Sequence, residues 1–257
     1  MAFEQALPPV QPVAEPAPWK DRTLWGHADM AMAIGIVIGA IILIGTPAYV
    51  VAVIIAGGVD VVTDSDIAMA VVIGASSLVE VVLLIVAIRF TVGKYKVSWA
   101  ALGLRRPRRG GYWFPVPLFF AAMIVLFSYV AIISVIGIEA KANVSEDLRD
   151  STLRLTMVGL SSLSLAPFME EVFFRGFLFG GLRGRWGVLG AALGSGLLFA
   201  IAHFSEPSSL AVLPAIGMIG VLFAWGYYYT GSLFAPIVTH FVWNLSTFIA
   251  IATGVAT

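Results

Sequence analysis

The chain has 257 residues, of which 60% are hydrophobic and only 12% charged, with a mean hydropathy of +0.96; this lies outside the composition of soluble globular domains. Fifteen basic and fifteen acidic residues cancel, which gives no basic field for a nucleic acid. Cysteine is absent, which excludes disulfides, thiolate metal sites and a cysteine nucleophile.

Residues 1–25 carry Pro8, Pro9, Pro12, Pro16 and Pro18, without the basic and short apolar regions of a signal peptide. They read as a disordered tail ahead of a membrane domain over 26–257. Apolar runs long enough to span a bilayer fall at about 30–57, 67–88, 112–138, 155–181, 187–204, 209–229 and 232–252. The expected fold is therefore all-α, a polytopic transmembrane bundle of about seven spans. The last three spans are joined only by Phe204–Ser208 and Tyr229–Ser232, which makes them tight antiparallel neighbours. No internal repeat is evident, which speaks against a duplicated transporter fold.

Between Arg89 and Arg109 stand seven basic residues and no acid, whereas the preceding loop holds Asp60, Asp64 and Asp66. An excess of Lys and Arg marks the cytoplasmic side, so the basic loop lies inside and the N-terminus is cytoplasmic. The expected location is the cytoplasmic membrane. The same count places Arg183 and Arg185 inside.

The fourth span holds Glu170, Glu171 and Arg175 within six residues, and each ion at bilayer depth costs a few kcal/mol (~2.5–3.5) unless something compensates. Residues four apart share a helix face, so Glu171 and Arg175 can form an ion pair. Glu170 is turned about 100° away and has no such partner, as suits a general base. The bland alternative is a structural ion pair beside a polar cavity. Of the three histidines, His27 precedes the first span, and His203 and His240 belong to the fifth and seventh. Asn244 follows His240 by four residues and His203 follows Phe199 by four, so each pair shares a face. A lone intramembrane histidine is often a helix-to-helix hydrogen bond, but two of them with a glutamate pair and an asparagine can bind water, deprotonate it and donate to an oxyanion.

Glu170-Glu171-x-x-x-Arg175, then Phe199-x-x-x-His203, then His240-x-x-x-Asn244 resemble, in that order, the three motifs of the CPBP family of intramembrane proteases (CAAX proteases and bacteriocin-processing enzymes, also called Abi). The resemblance covers about residues 150–250, and Gly103-Leu-Arg-Arg-Pro107 before the third span is similar to family members as well. It implies an intramembrane endopeptidase with a conical polar cavity among the fourth, fifth and seventh spans. In it Glu170, helped by His203, activates water, and His240 with Asn244 stabilises the oxyanion. Glu171, Arg175 and Phe199 support these residues. The implied partners are membrane lipid and a peptide or protein substrate, either prenylated or leader-bearing. Family members have been described as metalloproteases, yet the chain lacks the His-Glu-x-x-His pattern that gives a zinc site two ligands on one face. No metal is favoured, and zinc held by Glu170, His203 and His240 is the alternative. The rival functions are a proton-coupled transporter and a non-catalytic immunity or scaffold protein.

Other polar residues have plainer readings. Glu80 is an isolated acid of the second span that either extends the polar cavity or pairs with an interfacial base. Trp225 and Tyr227–Tyr229 form an interfacial belt, and Arg105–Arg109 orient the chain and touch anionic lipid. Gly190, Gly194 and Gly196, with Ala191 and Ala192, form a face for close helix packing. A fifth helix running outward from 187 carries His203 to its outer end, so for His203 to meet Glu170 the fifth helix must start later or the fourth must shift or kink, as Pro167 allows.

Overall fold

In the computed structural model of the chain, the described residues are 23–138, 151–204 and 210–254. All regular structure among them is helical. The main helices are α1 (His27–Ala56), α2 (Asp66–Gly93), α3 (Gly111–Val135), α4 (Thr152–Ala202), α5 (Leu213–Thr230) and α6 (Phe234–Thr253). Lipid offers no hydrogen-bond partners, so these apolar runs must satisfy their backbone internally, and a helix does so. Their ends carry the expected signals: Ser65 and Ser151 accept from backbone amides three residues on, and Gly57, Gly231 and Gly254 close helices in the left-handed conformation. The expected disordered tail falls mostly on residues 1–22, outside the described residues, as does most of the short loop Phe204–Ser208. At the tail's end, however, Trp25 is buried, donates from Nε1 to the Phe177 carbonyl at 2.9 Å and stacks on the Phe177 ring.

Five of these helices, among the described residues, are long and apolar enough to cross a membrane, rather than about seven. The difference lies in two places. The 18-residue α5 is not one of the five; it ends in Trp225 and three tyrosines. The expected fourth and fifth spans form the single run α4, 51 residues long. Gly187 breaks that run with φ 67° and ψ −177°, a backbone conformation that glycine adopts without a Cβ penalty.

Across this break the chain folds back. Ser195 Oγ donates to the Phe174 carbonyl at 2.8 Å, and the Phe174 and Phe199 rings meet edge to face at 5.2 Å. The first arm of α4 thus descends to Gly187 and the second returns beside it. Glu170 lies 17 residues before Gly187 and His203 16 after it, so at 1.5 Å per residue both stand about 25 Å from the turn. The two residues share a depth because the first arm continues as helix past 181, so neither displacement foreseen from the sequence is required.

α2 runs parallel to the first arm of α4. Arg154 pairs with Asp66 at 2.6 Å, Ser77 donates to Ser161 at 3.1 Å, and beyond them Leu83, Val86 and Phe90 share one core with Val172, Phe173 and Phe177. The second arm lies against α5 through small residues, as expected of helices packed in lipid. A Cβ on Gly196 would come within 2.7 Å of Val221 Cγ2 and 2.8 Å of the Gly217 carbonyl. Gly190 and Gly194 instead accommodate the Trp186 ring. Tyr227 does not belong to an interfacial belt: it is buried and meets Phe179 edge to face. Arg105 donates to the Gly231 carbonyl at 2.7 Å, which ties the basic loop to the turn between α5 and α6.

Candidate active site

Proline shapes the polypeptide around the site. Ser161–Leu165 and Val172–Phe179 are π-helical and flank the short α-helical turn Ala166–Glu171; such widened turns recur at functional sites. In the first of them the Ala166 amide donates to Ser161 O. By the same i→i+5 register Ser162 O would take its hydrogen from residue 167, and Pro167 has none to give. Asn244 Nδ2 of α6 supplies it, at 2.8 Å. In the second widened turn Ser195 donates to Phe174 O and Trp25 to Phe177 O, the latter also accepting from the Gly180 amide. Side chains thus complete a backbone that lipid cannot satisfy.

Glu171 and Arg175 form the expected ion pair at 2.7 Å with both side chains fully buried. The guanidinium is further held by the Gly220 carbonyl at 3.3 Å and lies over the ring of Phe199 at 4.2 Å and that of Phe223 at 5.4 Å. A desolvated cation on aromatic faces gains up to about 2 kcal/mol. Gly220 makes room for it, since a Cβ there would stand 3.3 Å from Arg175 Nη2.

The same Glu171 oxygen lies 3.0 Å from Nδ1 of His240, a contact that the motif spacing did not foretell. A carboxylate paired with arginine can only accept, so Nδ1 carries the proton. Nε2 is thereby turned toward Glu170, 3.9 Å from its Oε2. That Glu170 oxygen is buried and has no hydrogen-bond partner among the described residues.

Beside this cluster is a cavity of about 210 Å³, lined by Phe199, His203, His240 and Asn244 together with apolar residues of α3 and α5. His203 accepts from or donates to nothing in the carboxylate cluster; its Nδ1 lies 2.8 Å from the Phe199 carbonyl one turn back, and its ring packs on Phe199 at 4.4 Å. All seven residues singled out from the sequence therefore gather within three neighbouring helical segments, with His240 as the hinge between the carboxylates and the cavity. Of the two readings of Glu80, the structure favours its approach to the polar cluster. Its Oε2 is likewise buried and unpartnered among the described residues, and it lies within electrostatic reach of Glu170 and His240. An acid in the middle of an apolar span was the available signal. Among the described residues no group of three or more His, Cys, Asp or Glu side chains is arranged to hold a metal ion.

Residues 152–246 match the family model described as type II CAAX prenyl endopeptidase Rce1-like. The matched stretch contains Glu170, Glu171, Arg175, Phe199, His203, His240 and Asn244, which supports the resemblance drawn from the motifs and, with it, a membrane-embedded protease. No curated protein and no solved structure matches the chain.

Proposed function

We propose that this integral membrane protein is an endopeptidase of the CAAX type that hydrolyses a peptide bond with water activated by Glu170. The observation that carries this reading is the buried Glu170 oxygen, without a hydrogen-bond partner among the described residues and 3.9 Å from His240 Nε2, beside a cavity that His203, His240 and Asn244 line. The gap is longer than a hydrogen bond. A water between Glu170 and the cavity can lose its proton to the carboxylate as its oxygen attacks the substrate carbonyl. His203 assists by orienting that water. The proton held on Glu170 then passes to the leaving amine as the C–N bond breaks, which returns the carboxylate and leaves a new C-terminal acid.

His240 faces the developing oxyanion. Because Glu171 fixes the Nδ1 proton, Nε2 donates only as the imidazolium, whose charge Glu171 and Glu170 offset. One Asn244 N–H is committed to Ser162, and the second N–H is the donor left for catalysis. The substrate is a peptide presented from the membrane, with a prenylated C-terminal motif as the class that the matched family description suggests. The chain is inserted with its N-terminus in the cytoplasm, and zinc is not required.

The test is cleavage of an internally quenched farnesylated peptide by purified protein in detergent. Glu170→Gln keeps the shape and removes the base, so turnover should fall by about 100-fold or more with the melting temperature unchanged. Near-normal turnover by that variant overturns the assignment.

A further inference from the structure

Glu80 has no part in that scheme, yet the helix register directs it there. Ser77 and Glu80 are three residues apart and share a face of α2. Ser77 bonds to Ser161 on α4, and the next residues along α2, Leu83 and Val86, share a core with Val172 and Phe173. Because the two helices run parallel, Glu80 falls between these contacts, at the turn that carries Glu170. Its Oε2 and that of Glu170 are both buried without a partner among the described residues.

The charged and titratable groups facing it are Glu170 of α4 and His240 of α6, with Glu171 and Arg175 behind them. From α1, which also packs on α2, the only carboxylate is Asp29, bound to Lys94 and Tyr95 at the far end. Three carboxyl groups therefore meet one guanidinium and one imidazole at a depth where water is scarce. Like charges so close cannot all ionise cheaply. One proton on the carboxyl that no cation or imidazole holds relieves the site, and Glu171 is already engaged by both Arg175 and His240.

We propose that Glu80 is a positioning residue of the site: it holds a proton in the resting protein, so that Glu170 alone meets the water as a carboxylate. The inference rests on the assignment of Glu170 as the base. Glu80 acts through the charge it withholds, and no bond to it forms or breaks.

Infrared spectra of the full chain in detergent, titrated with pH and read at the carboxylic-acid C=O stretch, test this without substrate. The wild type should show a protonated buried carboxyl at neutral pH, Glu80→Gln should lose that band, and Glu170→Gln should keep it but let it ionise at lower pH, because one crowding charge is gone while the burial of Glu80 remains. With the farnesylated peptide, the pH dependence of kcat/KM for Glu80→Gln should lose one ionisation from its basic limb, which a purely structural acid would not alter. A band that is absent from the wild type at neutral pH, or that survives in Glu80→Gln, overturns the proposal, as does an unchanged pH profile. If Glu80→Gln fails to fold, Glu80→Met, which removes the acid and suits an apolar span, is read in its place by the same criteria. Activity retained by Glu170→Gln overturns the base assignment instead, while a band lost only in Glu80→Gln would still locate the proton.

Discussion

The most direct physical test is a double-substitution cycle on Glu171 and Arg175. Both side chains are fully buried and 2.7 Å apart, and removing one member of such a pair leaves the other charge unmatched, at about 3–5 kcal/mol. In Glu171→Gln the amide oxygen can still accept from His240 and Arg175, but the guanidinium loses its counter-charge and keeps, among the described residues, the Gly220 carbonyl and the faces of Phe174, Phe199 and Phe223. In Arg175→Met the volume is largely kept, and Glu171 retains only His240. For a chain of this size each kcal/mol moves the melting temperature by about 2–4 °C, so each single substitution should lower it by about 6–20 °C. The double substitution leaves neither charge stranded, and its cost should fall short of the sum by about 1–3 kcal/mol. The assay is thermal unfolding of the detergent-solubilised chain followed by tryptophan fluorescence. Additivity of the two single effects within about 0.5 kcal/mol would show that the charges do not depend on each other and refute the reasoning.

Asn244→Ala should lower the melting temperature as well as turnover, because it leaves the Ser162 carbonyl without a donor, a loss of about 1–3 kcal/mol; full stability would show that the carbonyl needs no such partner. Cysteines introduced at Asp60 and Arg106 of the cysteine-free chain should react with impermeant reagent from opposite sides, the second from the cytoplasm, and labelling of both from one side would break the proposed topology. Gly196→Leu should separate the second arm of α4 from α5, since even a Cβ would come within 2.8 Å of the Gly217 carbonyl, and unfolding should come early by at least about 1–3 kcal/mol. Turnover should survive exhaustive chelation; if it is lost and added zinc restores it, Glu170, His203 and His240 become the ligands to test.

The sequence determined that the chain is helical and lies in a membrane, because sustained apolar runs permit little else where backbone groups find no water. It determined the Glu171–Arg175 pair as well, since both partners sit on one helix and their spacing alone brings them together. It also singled out Glu170, Glu171, Arg175, His203 and His240 as candidates, because polar and ionisable groups at that depth are too costly to be incidental. The relations between helices were decided only in three dimensions. The reversal at Gly187 depends on the two backbone torsions of one residue, and it sets Glu170 and His203 at one depth, which span limits drawn from hydropathy had obscured. The bond from His240 to Glu171, the service of Asn244 to the carbonyl that Pro167 leaves open, and the approach of Glu80 from α2 join residues 69, 82 and 90 positions apart. No periodicity spans such separations: a helical pattern reports which face a residue occupies, whereas the neighbour met by that face is fixed by packing.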